Sequence, residues 1–171
     1  NDKYNFIFPV IIGLVAVSLR FANVFAIGTE YYANILSDAS TYRLWATKLA
    51  AGSSYGDPVF QMGPLYPYYL SFLLKIGFSF YSVLILQSLM GAFVSVAVYF
   101  MAKRIFGRSS GFVSGLLTAL FAPLIFYDGL FLSESLQILF LSIALLILIN
   151  KDKKIRYYKI IISGLLIGLV A

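Results

Sequence analysis

Few side chains in this sequence can do acid–base or ionic chemistry. It contains no histidine and no cysteine, which removes the commonest general base and metal ligand and all thiolate chemistry. Proton transfer therefore falls to carboxylates, and Asp38, Asp57, Asp128 and Glu134 stand where they could matter. Asp38 opens an amphipathic stretch in which Tyr42, Trp45 and Leu49 follow at i+4, i+7 and i+11, so the spacing predicts a helix with Asp38 on the apolar stripe. Two readings stand for it. Ser37 or Asp38 caps the helix by accepting from free backbone N–H groups, or Asp38 is a general base whose proton affinity is raised by partial desolvation.

The other acids differ in setting. Asp57 lies in the string Ser53-Ser54-Tyr55-Gly56-Asp57-Pro58, which reads as a turn. Asp128 reads as a turn residue between two apolar runs. Glu134, in Leu132-Ser133-Glu134-Ser135-Leu136-Gln137, is expected about one and a half turns inside a membrane span. A carboxylate at that depth needs a partner or a wet cavity, so it is either functional or paired with Arg20. Gln87 reads as an interhelical hydrogen bond. Gly91 with Ser95, Gly111 with Gly115, and Gly164 with Gly168 are small residues four apart and read as close helix contacts.

The elements that must position these groups are membrane helices. Hydrophobic residues make up 61% of the chain and charged residues 12%, and the mean hydropathy is +0.90, outside the range of a soluble domain. The expected fold is all-α: a multispanning transmembrane bundle with an amphipathic juxtamembrane helix in the first external loop. Spans are predicted over 4–26, 80–102, 111–127, 129–150 and a truncated 160–171, with an interfacial platform over 37–77. The run from Pro64 to Ile76 is shorter than the roughly 20 residues a span needs. Pro64 and Pro67 restrict its backbone, and Tyr66, Tyr68 and Tyr69 anchor it at headgroup level. The whole of 1–171 is read as the N-terminal part of one larger domain, inactive on its own.

Charge sets the expected orientation. The formal charge is +6, but the basic residues cluster in short loops: Lys103, Arg104 and Arg108, then Lys151, Lys153, Lys154, Arg156 and Lys159. They read as cytoplasmic topology signals and lipid-headgroup contacts, not as a nucleic-acid surface. If Pro64 to Ile76 lies on the outer interface instead of crossing, every basic cluster falls inside. Asp38, Asp57, Asp128 and Glu134 then gather at or near the opposite, extracytoplasmic face of a plasma (inner) membrane.

With that order in place, the chain resembles the N-terminal part of a GT-C glycosyltransferase, the class that includes protein O-mannosyltransferases and lipid A aminoarabinose transferases. The resemblance rests on Asp38 and Tyr42, Ala50-Ala51-Gly52, Pro64-Leu65-Tyr66-Pro67-Tyr68, Ala102-Lys103-Arg104-Ile105-Phe106-Gly107-Arg108, Ala122-Pro123 and Glu134. Where some relatives carry a Glu, this chain has Gln61-Met62-Gly63-Pro64. The resemblance implies that Asp38 is the catalytic carboxylate and that Glu134 lies near the donor phosphate or a metal, with a divalent cation as candidate cofactor. It implies a polyprenyl-phosphate sugar donor, a lipid, glycan or protein acceptor, and inversion at the anomeric carbon. Arg20 and Arg43 are the cations available for the phosphate, with Tyr42 and Tyr66 as further substrate-binding candidates. The alternative reading is a non-catalytic transporter or lipid-binding assembly protein, which inverted repeats and interrupted midplane helices would favour; neither pattern is visible.

Overall fold

A computed structural model describes residues 6–33, 38–53, 62–149 and 156–170. Ser37, Asp57 and Gln61 lie outside the described residues. Among those described, every regular element is a helix: α1 (Ile7–Ala33), α2 (Asp38–Ala50), α3 (Leu65–Lys75), α4 (Phe80–Phe106), α5 (Arg108–Leu120), α6 (Ala122–Asp128), α7 (Glu134–Leu148) and α8 (Tyr157–Val170). This is the all-α membrane bundle that the composition dictates.

The centre of the bundle is α4, which packs against α1, α5, α6 and α7. Its sequence explains this position. Ser79 starts it in extended backbone, its hydroxyl accepting from the Ser82 N–H at 3.1 Å, as an N-cap should. The buried face then carries small residues, Gly91, Ala92, Ser95, Ala97 and Ala102, so neighbours approach closely. Lys103 and Arg104 occupy the last turn, where cations suit the helix dipole. Gly107, at φ 95°, ends α4 and leads directly into α5, a conformation that costs glycine little.

Among the described residues two helices, α1 and α4, are long and apolar enough to cross a membrane. A third crossing results if α5 and α6 act as one span bent by 53°. The bend sits at Phe121, which is extended, with Pro123 in the first turn of α6. Proline has no N–H to give back to the preceding turn, so the expected continuous helix over 111–127 is broken. The stretch 129–150 also departs from expectation: its helix covers only the 15 residues Glu134–Leu148. The preceding turn is held differently. The Gln87 amide donates to the carbonyls of Asp128 (3.3 Å) and Leu130 (2.7 Å), so these groups are satisfied without helix. Glu134 is therefore the first residue of α7, not one and a half turns inside it. A carboxylate there faces the positive end of the helix dipole.

Two apolar clusters hold the bundle. Ile12, Ala16, Ala92, Tyr99 and Ala119 join α1, α4 and α5. Val24, Tyr42, Tyr66, Leu70, Val83, Leu84, Phe131 and Leu136 join α2 and α3 to α1, α4 and the start of α7. The second cluster seats α2 and α3 on the bundle. Leu14, Leu117 and Leu165 point outward from α1, α5 and α8, as expected of surfaces that meet lipid or further helices.

Candidate functional site

Helix α2 is the first element of the candidate site. Its buried stripe is Ala39, Tyr42 and Ala46, one position away from the stripe expected from Trp45 and Leu49. Asp38 is consequently exposed rather than on the packed face. The shift has a packing cause. Two alanines flanking Tyr42 let the helix lie close on its support, while Trp45 and Leu49, both half-buried, spread along its edges.

Tyr42 is the joint between elements. Its ring meets that of Tyr66 edge-on, with centroids 5.0 Å apart, a favoured aromatic geometry. Its hydroxyl reaches the Ser133 hydroxyl at 3.5 Å. Ser133 immediately precedes Glu134, so Tyr42 brings α2 against the start of α7. Glu134 is half-buried, and its Oε2 is enclosed without a hydrogen-bond partner. Arg43, the next residue along α2, lays its guanidinium over the rings of Phe80 at 4.6 Å and Phe131 at 5.3 Å. Those rings attract the cation and limit its rotation.

Tyr66, on α3, is 1% exposed and donates to Gln87 Oε1 at 2.6 Å. Burial pushes its phenol well above the ordinary value, and the neighbouring Tyr69, Tyr42 and Glu134 push in the same direction. Burial likewise raises Tyr69 to about 12. Tyr66 is thus a neutral hydrogen-bond donor at physiological pH.

Arg20 has a different partner from the one expected. Its Nε donates to Asp128 Oδ2 at 2.7 Å, and the pair is almost wholly buried. Asp128 is therefore not a simple turn residue. Its Oδ1 accepts from the Ser135 hydroxyl at 2.8 Å. Arg20 Nη1 reaches the carbonyls of Ala16 (3.3 Å) and Ala119 (3.5 Å). The Ala119 carbonyl would bond residue 123 in a continuous helix, but that residue is Pro123. Arg20 compensates the break. Gly91 makes room for the pair, since a Cβ there would run into the Asp128 carboxylate and lie 2.5 Å from Arg20 Nε. A small cleft follows this joint, lined by Arg20, Gly91, Val94, Leu124, Asp128, Ser135 and Ile138.

The structure thus brings Tyr42, Tyr66 and the Ser133–Glu134 step together, with Arg43 beside Phe131. Arg20 belongs to a second buried joint, with Asp128. That pairing was legible in principle: two opposite charges in otherwise apolar segments have strong reason to meet. Among the described residues no group of three His, Cys, Asp or Glu could hold a metal ion. The described part of the site does not form a cation site by itself.

The profile of one protein family matches residues 61–171, described as dolichyl-phosphate-mannose-protein mannosyltransferase. The chain belongs to this family. Membership in the mannosyltransferase family points to glycosyl transfer with a lipid-linked donor, in agreement with the GT-C resemblance. The match includes Tyr66, Gln87, Asp128 and Glu134; Arg20, Asp38, Tyr42 and Arg43 precede it. No curated protein and no solved structure matches the chain.

Proposed function

We propose that this protein transfers a sugar from a polyprenyl-phosphate carrier to an acceptor hydroxyl at the extracytoplasmic membrane face. One observation carries the reading beyond family membership. Tyr42 seats the acid-bearing helix α2 against both the interfacial aromatic helix α3 and the start of α7, where Glu134 keeps one enclosed oxygen without a partner. A surface helix, an aromatic floor and two carboxylates suit a reaction at the boundary between lipid and water. The isoprenoid tail would lie among the apolar helices and the sugar phosphate at the platform.

In this reading Asp38 is the general base. Its exposure lets an acceptor from the aqueous side reach it. As the acceptor oxygen attacks the anomeric carbon, its proton passes to the Asp38 carboxylate. The bond from that carbon to the phosphate oxygen breaks, and the electron pair leaves with the phosphate, giving inversion. Arg43, held over Phe80 and Phe131, is the cation placed to offset the phosphate charge. Glu134 accepts a hydroxyl hydrogen bond from the donor, filling the vacancy on Oε2.

The test compares full-length protein with its Asp38→Asn variant at matched expression in membranes, supplied with labelled polyprenyl-phosphate sugars. Wild type should transfer label, and the variant should lose about 10²-fold or more, the usual contribution of a general base. Equal transfer by both would reduce Asp38 to a helix-start residue. No transfer by wild type, with a known transferase working alongside, would overturn the proposed reaction.

A further inference from the structure

The two joints described above are one network. Tyr66 on α3 donates to Gln87 on α4; Gln87 donates to the carbonyls of Asp128 and Leu130; Asp128 is clasped by Arg20 of α1 and by Ser135 of α7. Five helices meet in it, and its centre is the short turn between α6 and α7. Glu134 stands at the far end of that turn, next to Ser135. We propose that Arg20, Asp128, Ser135 and Gln87 are positioning residues that fix this turn and so aim Glu134 at the Tyr42–Tyr66 side of the site. The inference rests on the preceding reading that Glu134 belongs to the site.

The argument is one of constraint. A turn of this kind has few helix bonds of its own: Gly129 and Leu130 donate back to Phe126 and Tyr127, and Gln137 donates to Ser133. The remaining constraint comes from side chains of distant helices. Arg20 and Gln87 fix Asp128 from two sides, one through its carboxylate and one through its carbonyl. Ser135 ties the first turn of α7 to that same carboxylate. Burial excludes water that could substitute for these bonds: Arg20, Gln87, Asp128 and Ser135 are at most 5% exposed. A pair kept only for cohesion would be replaceable by apolar residues of similar size, often at no loss of stability. A positioning role predicts a different result. Replacing the pair would preserve the fold but release Ser135 and the turn.

The decisive variants are Arg20→Met with Asp128→Leu, made together so that no lone charge is left buried, and Ser135→Ala. Each is introduced into full-length protein in membranes, in a cysteine-free background carrying Ala39→Cys, a small-for-small change on the same buried stripe as Tyr42 that leaves the Tyr42 joint in place, and Ser133→Cys. A short thiol-reactive crosslinker reads the distance between α2 and the start of α7 without reference to activity. In the parent the pair should crosslink readily. With melting temperature preserved, Ser135→Ala should lower the yield about fivefold, the population shift expected for one buried hydrogen bond, and the double replacement should lower it further. In enzyme with the native Ala39 and Ser133, turnover should fall by roughly 10²-fold, as expected for a displaced group, and the KM for donor should rise, because Glu134 holds the donor in that reading, while the KM for acceptor changes little. An unchanged crosslink in the folded variants would overturn the positioning role, as would unchanged turnover. If the double replacement fails to fold, Ser135→Ala decides by the same readings. Wild-type protein that transfers no sugar would sink the reaction proposed above, and the crosslink would still decide whether the network fixes the turn.

Discussion

The seam between α4 and α5 and the joint around Asp128 both depend on a glycine, and for opposite reasons. At the seam, Gly115 lets the chain come so close that a Cβ would lie 2.8 Å from Ile12 Cδ1, 2.9 Å from Tyr99 Cβ and 3.1 Å from the Ser95 carbonyl. Gly111 does the same against Lys103 and Tyr99. These glycines bring helices together, and what fills the contact is carbon and backbone. At the joint, the missing Cβ of Gly91 is replaced by charge: its place adjoins the Asp128 carboxylate and Arg20. The same residue type therefore serves dispersion in one region and an ion pair in the other. The second use is far less forgiving, because a displaced buried charge cannot be rescued by repacking.

Identical substitutions should separate the two. Gly91→Ala should be the most damaging, destabilising the detergent-solubilised protein by about 3–5 kcal/mol because it forces Asp128 from Arg20 and leaves charge uncompensated. Gly115→Ala should cost about 1–3 kcal/mol, the range for overpacking a close contact. Melting followed by circular dichroism measures both, and an equal loss at the two positions would erase the distinction. Gly164, on α8, has nothing within 4 Å of its added Cβ. There Gly164→Ala should change stability by less than about 0.5 kcal/mol, as at an open surface position. A large loss at Gly164 would mean that further helices of the protein cover this face of α8.

The glycine pairs also show how far sequence reading carries. Small residues four apart correctly mark the α4–α5 seam, because close approach has a local signature. The same spacing at Gly164 and Gly168 marks no contact among the described residues, and at Gly91 it marks a cavity for a carboxylate. Spacing says that a side chain is missing; it does not say what takes its place. Gln87 is read correctly as an interhelical bond, since a buried amide must find partners. Which partners it takes, a tyrosine on α3 and two carbonyls of one turn, depends on how three segments converge.

Asp38 and Glu134 show the same limit at the candidate site. Periodicity finds the amphipathic helix α2 but sets its stripe by the largest residues, whereas burial favours Ala39 and Ala46 around Tyr42. Hydropathy finds the apolar run after Gly129 but overlooks the turn that delays α7 until Glu134. In each case the pattern locates the element, and a nonlocal contact decides its rotation or its start.

Composition and apolar run length by themselves determined that this is an all-α membrane protein, because each backbone N–H and C=O must be paired where water is scarce. The order of short motifs pointed to its glycosyltransferase class. Only the tertiary structure decided that Arg20 holds Asp128 rather than Glu134, that Gly91 leaves space for that pair, and that Tyr42 docks α2 beside Ser133. The reason is physical. Charges with several candidate partners along a chain choose among them by distance and desolvation, and both are set by how the helices pack.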